Sequence, residues 1–331
     1  MFYDAINQGL NGRELYNNFC KKMKQVTNTI VMIRPVRFRM NEQTAVNNYY
    51  QKNSDNKIDV NKNAQEEFDA FVGKLRSVGV NVIVIEDKLE NDTPDSIFPN
   101  NWVSFHENGD IGLYPMFAVN RRRERRSEIL DAVENEGFEI KNVVDYTSAE
   151  EDDVFLEGTG SIVLDRENRK AYCALSPRAD EDLFIEFCED FEYTPVIFTA
   201  YQTVEGERLA IYHTNVMMGI GETFAVVCLD CIDDKKERKN LVNHLKNDGK
   251  EIVKIIEEQV NQFAGNMLQV VGAKEQRYLV MSSSAFHSLT QNQITTIEKH
   301  CEILHSNLET IEKLGGGSAR CMMAEVFLPE K

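Results

Sequence analysis

The sequence predicts a single α/β domain. Three observations carry that expectation. Strand-like and helix-like segments alternate from residue 29 to the end of the 331-residue chain. No Pro-, Ser- or Gly-rich linker interrupts them, and only 7 prolines occur in all. The apolar share, 42%, is ample for one large core. Elements that keep alternating build a layered sheet-and-helix unit rather than separate all-α and all-β parts.

The elements follow in order. TIVMIRPV (29–36) is an apolar run rich in β-branched residues and reads as a strand. NAQEEFDAFVGKLRSVG (63–79) places Phe68, Phe71 and Leu75 on one helical face. VNVIVIED (80–87) returns to strand. RRERRSEILDAVENEG (122–137) reads as a helix, GSIVLD (160–165) as a strand, and ADEDLFIEFCEDF (179–191) as a helix. TPVIFTAY (194–201) and FAVVCLDCI (224–232) read as strands, with helix KKERKNLVNHLKNDG (235–249) after them. NMLQVV (266–271) and RYLVMSS (277–283) are strands, and TQNQITTIEKH (290–300) is a helix. Gly79, Gly137 and Gly249 each close a helix, where a left-handed residue is needed. No repeat of fixed period is visible.

Net charge is -17 and the pI is about 4.9, which argues against a nucleic-acid partner. No run approaches the length of a membrane span, and the polar start lacks the apolar stretch of a signal peptide. Seven cysteines (Cys20, Cys173, Cys188, Cys228, Cys231, Cys301 and Cys321) form no disulfide framework. They read as reduced thiols in a cytoplasmic protein.

Several positions carry candidate chemistry. Cys321 follows Gly315, Gly316 and Gly317, so it is either a nucleophile on a glycine loop or a buried sulfur before a last strand. His213, at the end of a short apolar strand, is either a satisfied core or edge residue or the candidate base. His244, His300 and His305 lie in stretches read as polar and helical, and His106 and His287 are weaker rivals. Glu157 stands between an apolar pair and a Gly-x-Gly turn, as a solvated turn residue or a buried acid/base. Asn100 and Asn101 adjoin Trp102, the only tryptophan, in a turn or a pocket. NRRRERR (120–126) is a solvated helix start unless one arginine folds inward to grip a carboxylate. Cys228-x-x-Cys231 has no second ligand pair, so alternation along a strand explains it better than zinc.

Taken together, RPVRF (34–38), DSIFPNNW (95–102), FLEGTGSIV (155–163), LSPRAD (175–180), YHTNV (212–216) and GGGSARCM (315–322) resemble, in order, the motifs of the guanidine-modifying pentein superfamily. That group includes arginine deiminase, dimethylarginine dimethylaminohydrolase and the amidinotransferases. The pattern is similar above all to the citrulline-utilisation, arginine-deiminase-related branch. The resemblance implies a five-bladed α/β propeller of ββαβ-like units over 26–331, with an N-terminal extension (1–25) of no assigned role. It also implies catalytic roles for Cys321 (nucleophile), His213 (general acid/base) and Glu157 (orienting carboxylate). Asp95 matches the residue that holds a substrate α-amino group. Arg121, with its register open within 121–123, and Arg178 match those that hold the α-carboxylate.

Asn100, Asn101 and Asn215 depart from that pattern: the resemblance implies an Asp at 101 in arginine-directed members, an acid at 100 in dimethylarginine hydrolases and an Asp at 215 in arginine deiminases. A guanidinium has only N–H donors and prefers carboxylates, whereas a neutral ureido group also offers a C=O acceptor that amides can serve. The expectation is therefore a hydrolase of citrulline or a similar ureido amino acid, releasing ornithine, CO2 and ammonia through an S-carbamoyl cysteine. It needs no metal or organic cofactor. Its partner is a small amino acid, not nucleic acid or membrane, and a homo-oligomer is compatible with it. The alternatives are a guanidine hydrolase or amidinotransferase acting on arginine or a methylated arginine, and a non-catalytic pentein binding module.

Overall fold

The computed structural model describes residues 23–51 and 59–331. Five three-stranded sheets share one plan. A first strand pairs antiparallel with a middle strand. The middle strand pairs parallel with a third, reached through a helix, as a parallel connection requires.

In chain order, β1 (Thr29–Arg34), α1 (Val60–Ser77) and β2 (Asn81–Glu86) form a parallel pair. The second unit holds β3 (Val103–Phe105), β4 (Asp110–Leu113), α2 (Ser127–Asn135) and β5 (Asn142–Asp145). A one-turn helix, α3 (Gly158–Ser161), leads into β6 (Ile162–Asp165), β7 (Lys170–Leu175), α4 (Glu181–Asp190) and β8 (Thr194–Thr199). A hairpin of β9 (Tyr201–Val204) and β10 (Glu207–Ala210) intervenes. The fourth unit is β11 (Met218–Ile220), β12 (Phe224–Cys228), α5 (Lys235–Asn247) and β13 (Glu251–Ile255), followed by the short α6 (Glu257–Val260). The fifth is β14 (Leu268–Val271), β15 (Arg277–Ser282), α7 (Ser283–Ser288), α8 (Gln291–Glu298) and β16 (Glu302–Ser306). After α9 (Glu309–Gly315), β17 (Ala324–Glu325) pairs antiparallel with β1, so the end of the chain completes the first sheet.

Helix α1 illustrates how the pattern becomes structure. Asp59 caps it by accepting from the Lys62 N–H at 3.1 Å. Ala64, Phe68, Phe71, Val72 and Leu75 are buried against the β1–β2 pair. Gly79 follows at φ 89°, and Gly137 (94°) and Gly249 (74°) close α2 and α5 in the same left-handed way. Strands β3, β4, β5, β7, β9 to β11, β13 and β16 have no counterpart in the sequence reading; most have five residues or fewer, too short for a period to show.

Five expectations change. The helix read over 122–137 begins only at Ser127, because a 3-10 segment, Val119–Glu124, precedes it and turns Arg121 inward. The strand read over 224–232 stops at Cys228 and turns. His305 lies on β16 and His300 just past α8, not in helices, and His213 follows a loop after β10 rather than a strand. Of the N-terminal extension, residues 1–22 lie outside the described residues. Gln25 is buried and bridges two units, donating to the Leu164 and Ile220 carbonyls and accepting from the Arg166 N–H. Among the described residues, no helix is long and apolar enough to cross a membrane.

Candidate active site

Cys321 lies between α9 and β17, in the turn that returns the chain to β1. The glycine run before it is there for packing. A Cβ on Gly316, at φ 63°, would sit 2.5 Å from Asn48 Nδ2. Cβ atoms on Gly315 and Gly317 would press into the Phe98 ring at 2.8 and 2.9 Å. The sulfur is buried and faces two amides: Asn266 Nδ2 donates to Sγ at 3.2 Å, and the Asn215 amide nitrogen lies at 3.7 Å. Burial pushes the Cys321 thiol up, partly offset by the Ser318 backbone, Asn266, Arg320 and Asn215.

His213 stands at the entry to a 3-10 turn, Thr214–Val216. Its Nε2 meets Glu157 Oε2 at 2.7 Å. A carboxylate only accepts, so Nε2 carries the hydrogen and Nδ1 is the free base. Gly160 makes room for that edge of the ring, since a Cβ there would lie 2.8 Å from Nδ1 and 2.4 Å from Asn101 Nδ2. Burial pushes the imidazole down to about 4, against the opposing pull of Glu157.

Glu157 is wholly buried at the start of α3. Its Oε1 accepts from the Phe117 N–H at 3.0 Å, and Oε2 also receives Arg178 Nη1 at 3.4 Å, with Arg121 Nη1 at 3.9 Å. Burial alone would raise its pKa. The Arg178 charge, the His213 hydrogen bond and Arg121 outweigh burial and hold it well below the usual carboxylate range.

The two arginines differ in what occupies them. Arg121 is fork-bonded to Glu124 (3.0 and 2.9 Å), and it also donates to Asn101 Oδ1 (2.8 Å) and the Phe98 carbonyl (3.2 Å). Because Arg121 has only donors, it fixes Asn101 with its oxygen inward, and Asn101 Nδ2 then donates to Asn100 Oδ1 at 3.1 Å. Arg178 is held instead by the strap 41–51. It donates to Asn47 Oδ1 and to the Thr44 carbonyl (2.9 Å), and its guanidinium stacks 5.0 Å from the Tyr212 ring. The same strap reaches Asp95: Asn41 Nδ2 (2.8 Å) and Thr44 Oγ1 (3.1 Å) donate to Oδ2, while the buried Oδ1 has no partner. Burial raises the Asp95 pKa despite Arg121 nearby.

One cavity is lined by Asp95, Asn101, Arg121, Arg178, His213 and Cys321. Glu157, Asn100 and Asn215 stand directly behind it through the bonds above. Thus the sequence-derived residues converge, and of 121–123 it is Arg121 that lines the cavity; Arg123 donates at the surface to the Asn91 carbonyl. Free space in the cavity is about 10 Å³, room for one water at most. An amino acid does not fit this space unless residues that line it move. Asn266, Glu124, Asn41, Thr44 and Asn47 were not singled out in the sequence. Among the described residues, no group of three or more His, Cys, Asp or Glu side chains is arranged to hold a metal.

The family model for eukaryotic N,N-dimethylarginine dimethylhydrolase matches residues 34–328. The chain belongs to this family. It is thereby an enzyme of the guanidine-modifying pentein superfamily, related to arginine deiminase, as the ordered motifs imply. No curated protein sequence matches it. Solved structures show the same fold at low identity. Apo ArgZ, an arginine dihydrolase from the ornithine-ammonia cycle in Cyanobacteria, is 15% identical with a TM-score of 0.70 over 92% of this chain. This chain spans only 41% of ArgZ but 99% of ArgZ's N-terminal domain, whose product complex has a TM-score of 0.69 at 15% identity over 91% of this chain. A histidine-to-glycine variant of dimethylarginine dimethylaminohydrolase, as its S-methyl-L-thiocitrulline adduct, is 13% identical with a TM-score of 0.59. That match covers 90% of this chain and 98% of the other.

Proposed function

We propose that this chain hydrolyses a C–N bond of a guanidino amino acid of arginine type, through a covalent intermediate on Cys321. The observation that carries the reading is the shared cavity. It holds Cys321 and His213, with Glu157 bonded behind His213, and it holds Asp95, whose Oδ1 has no partner. An unpaired buried carboxylate oxygen suits the α-ammonium of an amino acid. Arg178, freed from the strap, takes the α-carboxylate. Arg121, saturated by Glu124, Asn101 and Phe98, positions Asn101 rather than gripping substrate.

In this reading, the Cys321 sulfur attacks the guanidinium carbon and gives its proton to His213 Nδ1. His213, steadied by Glu157 through Nε2, returns that proton to the departing amine. Cys321 is left as an S-substituted isothiourea. A water, deprotonated by His213, adds to the same carbon, and the sulfur leaves, giving a ureido product. One electrostatic effect favours a cationic substrate, although Asn100, Asn101 and Asn215 offer it no carboxylate. Burial keeps the Cys321 thiol and the His213 imidazole neutral, and an entering guanidinium lowers the thiol's pKa where a neutral ureido group does not. This replaces citrulline as the preferred substrate, and the ArgZ and dimethylarginine hydrolase matches favour the same choice. Structures of ArgZ's N-terminal domain include one covalently bound to a reaction intermediate and a cysteine-to-serine variant bound to substrate.

A second reading, hydrolysis of citrulline itself to ornithine, CO2 and ammonia, keeps one observation in its favour. The amide donors of Asn266 and Asn215 point at the sulfur, and Asn100 Nδ2 is buried without a partner. Such donors suit a ureido oxygen or the oxyanion formed from it. The five sheets are read as blades of one propeller around this cavity, supported by contacts of β3 with β17, β6 with β11, and β11 with β14. Reduced thiols suit a cytoplasmic setting. Intact-mass analysis of a quenched reaction with arginine or a methylated arginine tests the covalent step. An adduct on the wild-type chain, absent in Cys321→Ala, supports it. Turnover with no adduct under any quench, and with the mutant still active, overturns it.

A further inference from the structure

Cys228 and Cys231 stand outside the reaction site and need their own explanation. In an extended strand, residues three apart point to opposite faces, about 10 Å along the chain. Here β12 ends at Cys228 and a turn closed by the Ile232 N–H to the Leu229 carbonyl (3.3 Å) brings the second thiol back. The two sulfurs lie 3.1 Å apart, Cys231 Sγ donating to Cys228 Sγ. Both are wholly buried and unbridged.

The turn is held from both sides. The Cys228 N–H bonds the Met217 carbonyl (3.0 Å), and the Cys231 carbonyl accepts from Tyr201 (2.7 Å). Arg208 reaches the Asp230 carbonyl and pairs with Asp233 and Glu257. Among the described residues, no third ligand makes a metal site of the pair. A cavity of about 650 Å³, lined in part by Tyr50, Gln202, Thr203 and Phe263, borders the packed cluster that holds the pair. Tyr50 belongs to the same packed cluster as both sulfurs, and its buried hydroxyl has no partner.

We propose that Cys228 and Cys231 are a redox-active dithiol that closes to an intrachain disulfide when oxidised by hydrogen peroxide. The Cys228 thiolate attacks one peroxide oxygen, the O–O bond breaks, and a sulfenic acid and one water form once the second oxygen takes up a proton. Cys231 then attacks the Cys228 sulfur, the S–O bond breaks, and a second water leaves. Two thiols and one peroxide thus give one disulfide and two waters. The bond from Cys231 assigns the order, since it makes Cys228 more acidic than an ordinary thiol and Cys231 less so. This inference does not depend on the identity of the substrate.

The test uses the full chain, reduced and then exposed to hydrogen peroxide, unfolded in iodoacetamide and digested with trypsin. The peptide 209–235 contains these two cysteines and no others. It is expected to lose the mass of two hydrogens, to escape alkylation, and to recover both with dithiothreitol. Cys228→Ser and Cys231→Ser are each expected to abolish the bond, and Cys321→Ser to leave it. The proposal is overturned if the peptide is fully alkylated under conditions that oxidise Cys321, or if either sulfur pairs with another cysteine. The wild-type map decides the matter even where a serine variant fails to fold.

Discussion

Glu157→Gln isolates the contribution of one buried charge. The carboxylate accepts the His213 Nε2 hydrogen at 2.7 Å and is wholly buried. When His213 carries the transferred proton, the imidazolium and the carboxylate attract each other. With charge centres about 4 Å apart and an effective dielectric near 20, that is about 4 kcal/mol, or roughly 10³ in rate. An amide can also turn its NH2 toward Nε2, which moves the ring hydrogen to Nδ1 and removes the base. Comparable carboxylate-to-amide changes in catalytic triads cost about 10⁴. The expected outcome is a kcat lowered about 10³- to 10⁴-fold, with KM changed far less. The assay is steady-state ammonia release, beside a melting curve to show that the chain is folded. A folded Glu157→Gln chain within tenfold of wild-type kcat would refute the reasoning.

Four further outcomes are expected. Asn266→Ala removes the closest donor to the Cys321 sulfur (3.2 Å); a hydrogen bond to a charged group is worth about 1.5–3 kcal/mol, so the pH midpoint of iodoacetamide labelling at Cys321 should rise by about one to two units. Asp95→Asn should raise KM about 10²-fold for an amino-acid substrate while kcat changes little, measured by initial rates; an unchanged KM would remove Asp95 from ammonium recognition. Arg121→Leu strands Glu124, which it meets at 2.9 Å, and should cost about 3–5 kcal/mol in urea unfolding. The fourth concerns pH. His213 takes its proton at about 4 in the native chain but near 6.5 when unfolded. The unfolded state therefore binds more protons between these values, and stability falls as pH drops from about 6.5 to 4, by up to about 3 kcal/mol. Urea titrations of a His213→Asn chain should lack that component.

The sequence displayed the fold where elements were long and apolar. The patterns that became β1, α1 and α4 needed no context, because Phe68, Phe71 and Leu75, or Phe184 and Phe187, repeat at the helical period. Strands such as β3, β11 and the two-residue β17 carry too few residues for a period, and only pairing defines them. The site was legible for a different reason. Six motifs in order placed Cys321, His213 and Glu157 before any distance was known. Their supporting shell was not legible. Asn266 is one asparagine among many, and its role comes from the fold bringing residue 266 to residue 321. The strap residues Asn41, Thr44 and Asn47 lie in a polar stretch that reads as loop. Arg121 could be told from Arg122 and Arg123 only by burial, which the 3-10 segment sets. The turn after Cys228 was hidden by the apolar run around it, which reads equally well as a longer strand.

The measurement that tests the central claim most directly is product release from arginine, a methylated arginine and citrulline, assayed side by side with wild type and Cys321→Ala. The account predicts that at least one guanidino substrate yields a ureido product and an amine, and that the mutant releases neither. Turnover of citrulline alone would contradict the assigned substrate, and turnover that survives in Cys321→Ala would contradict the nucleophile.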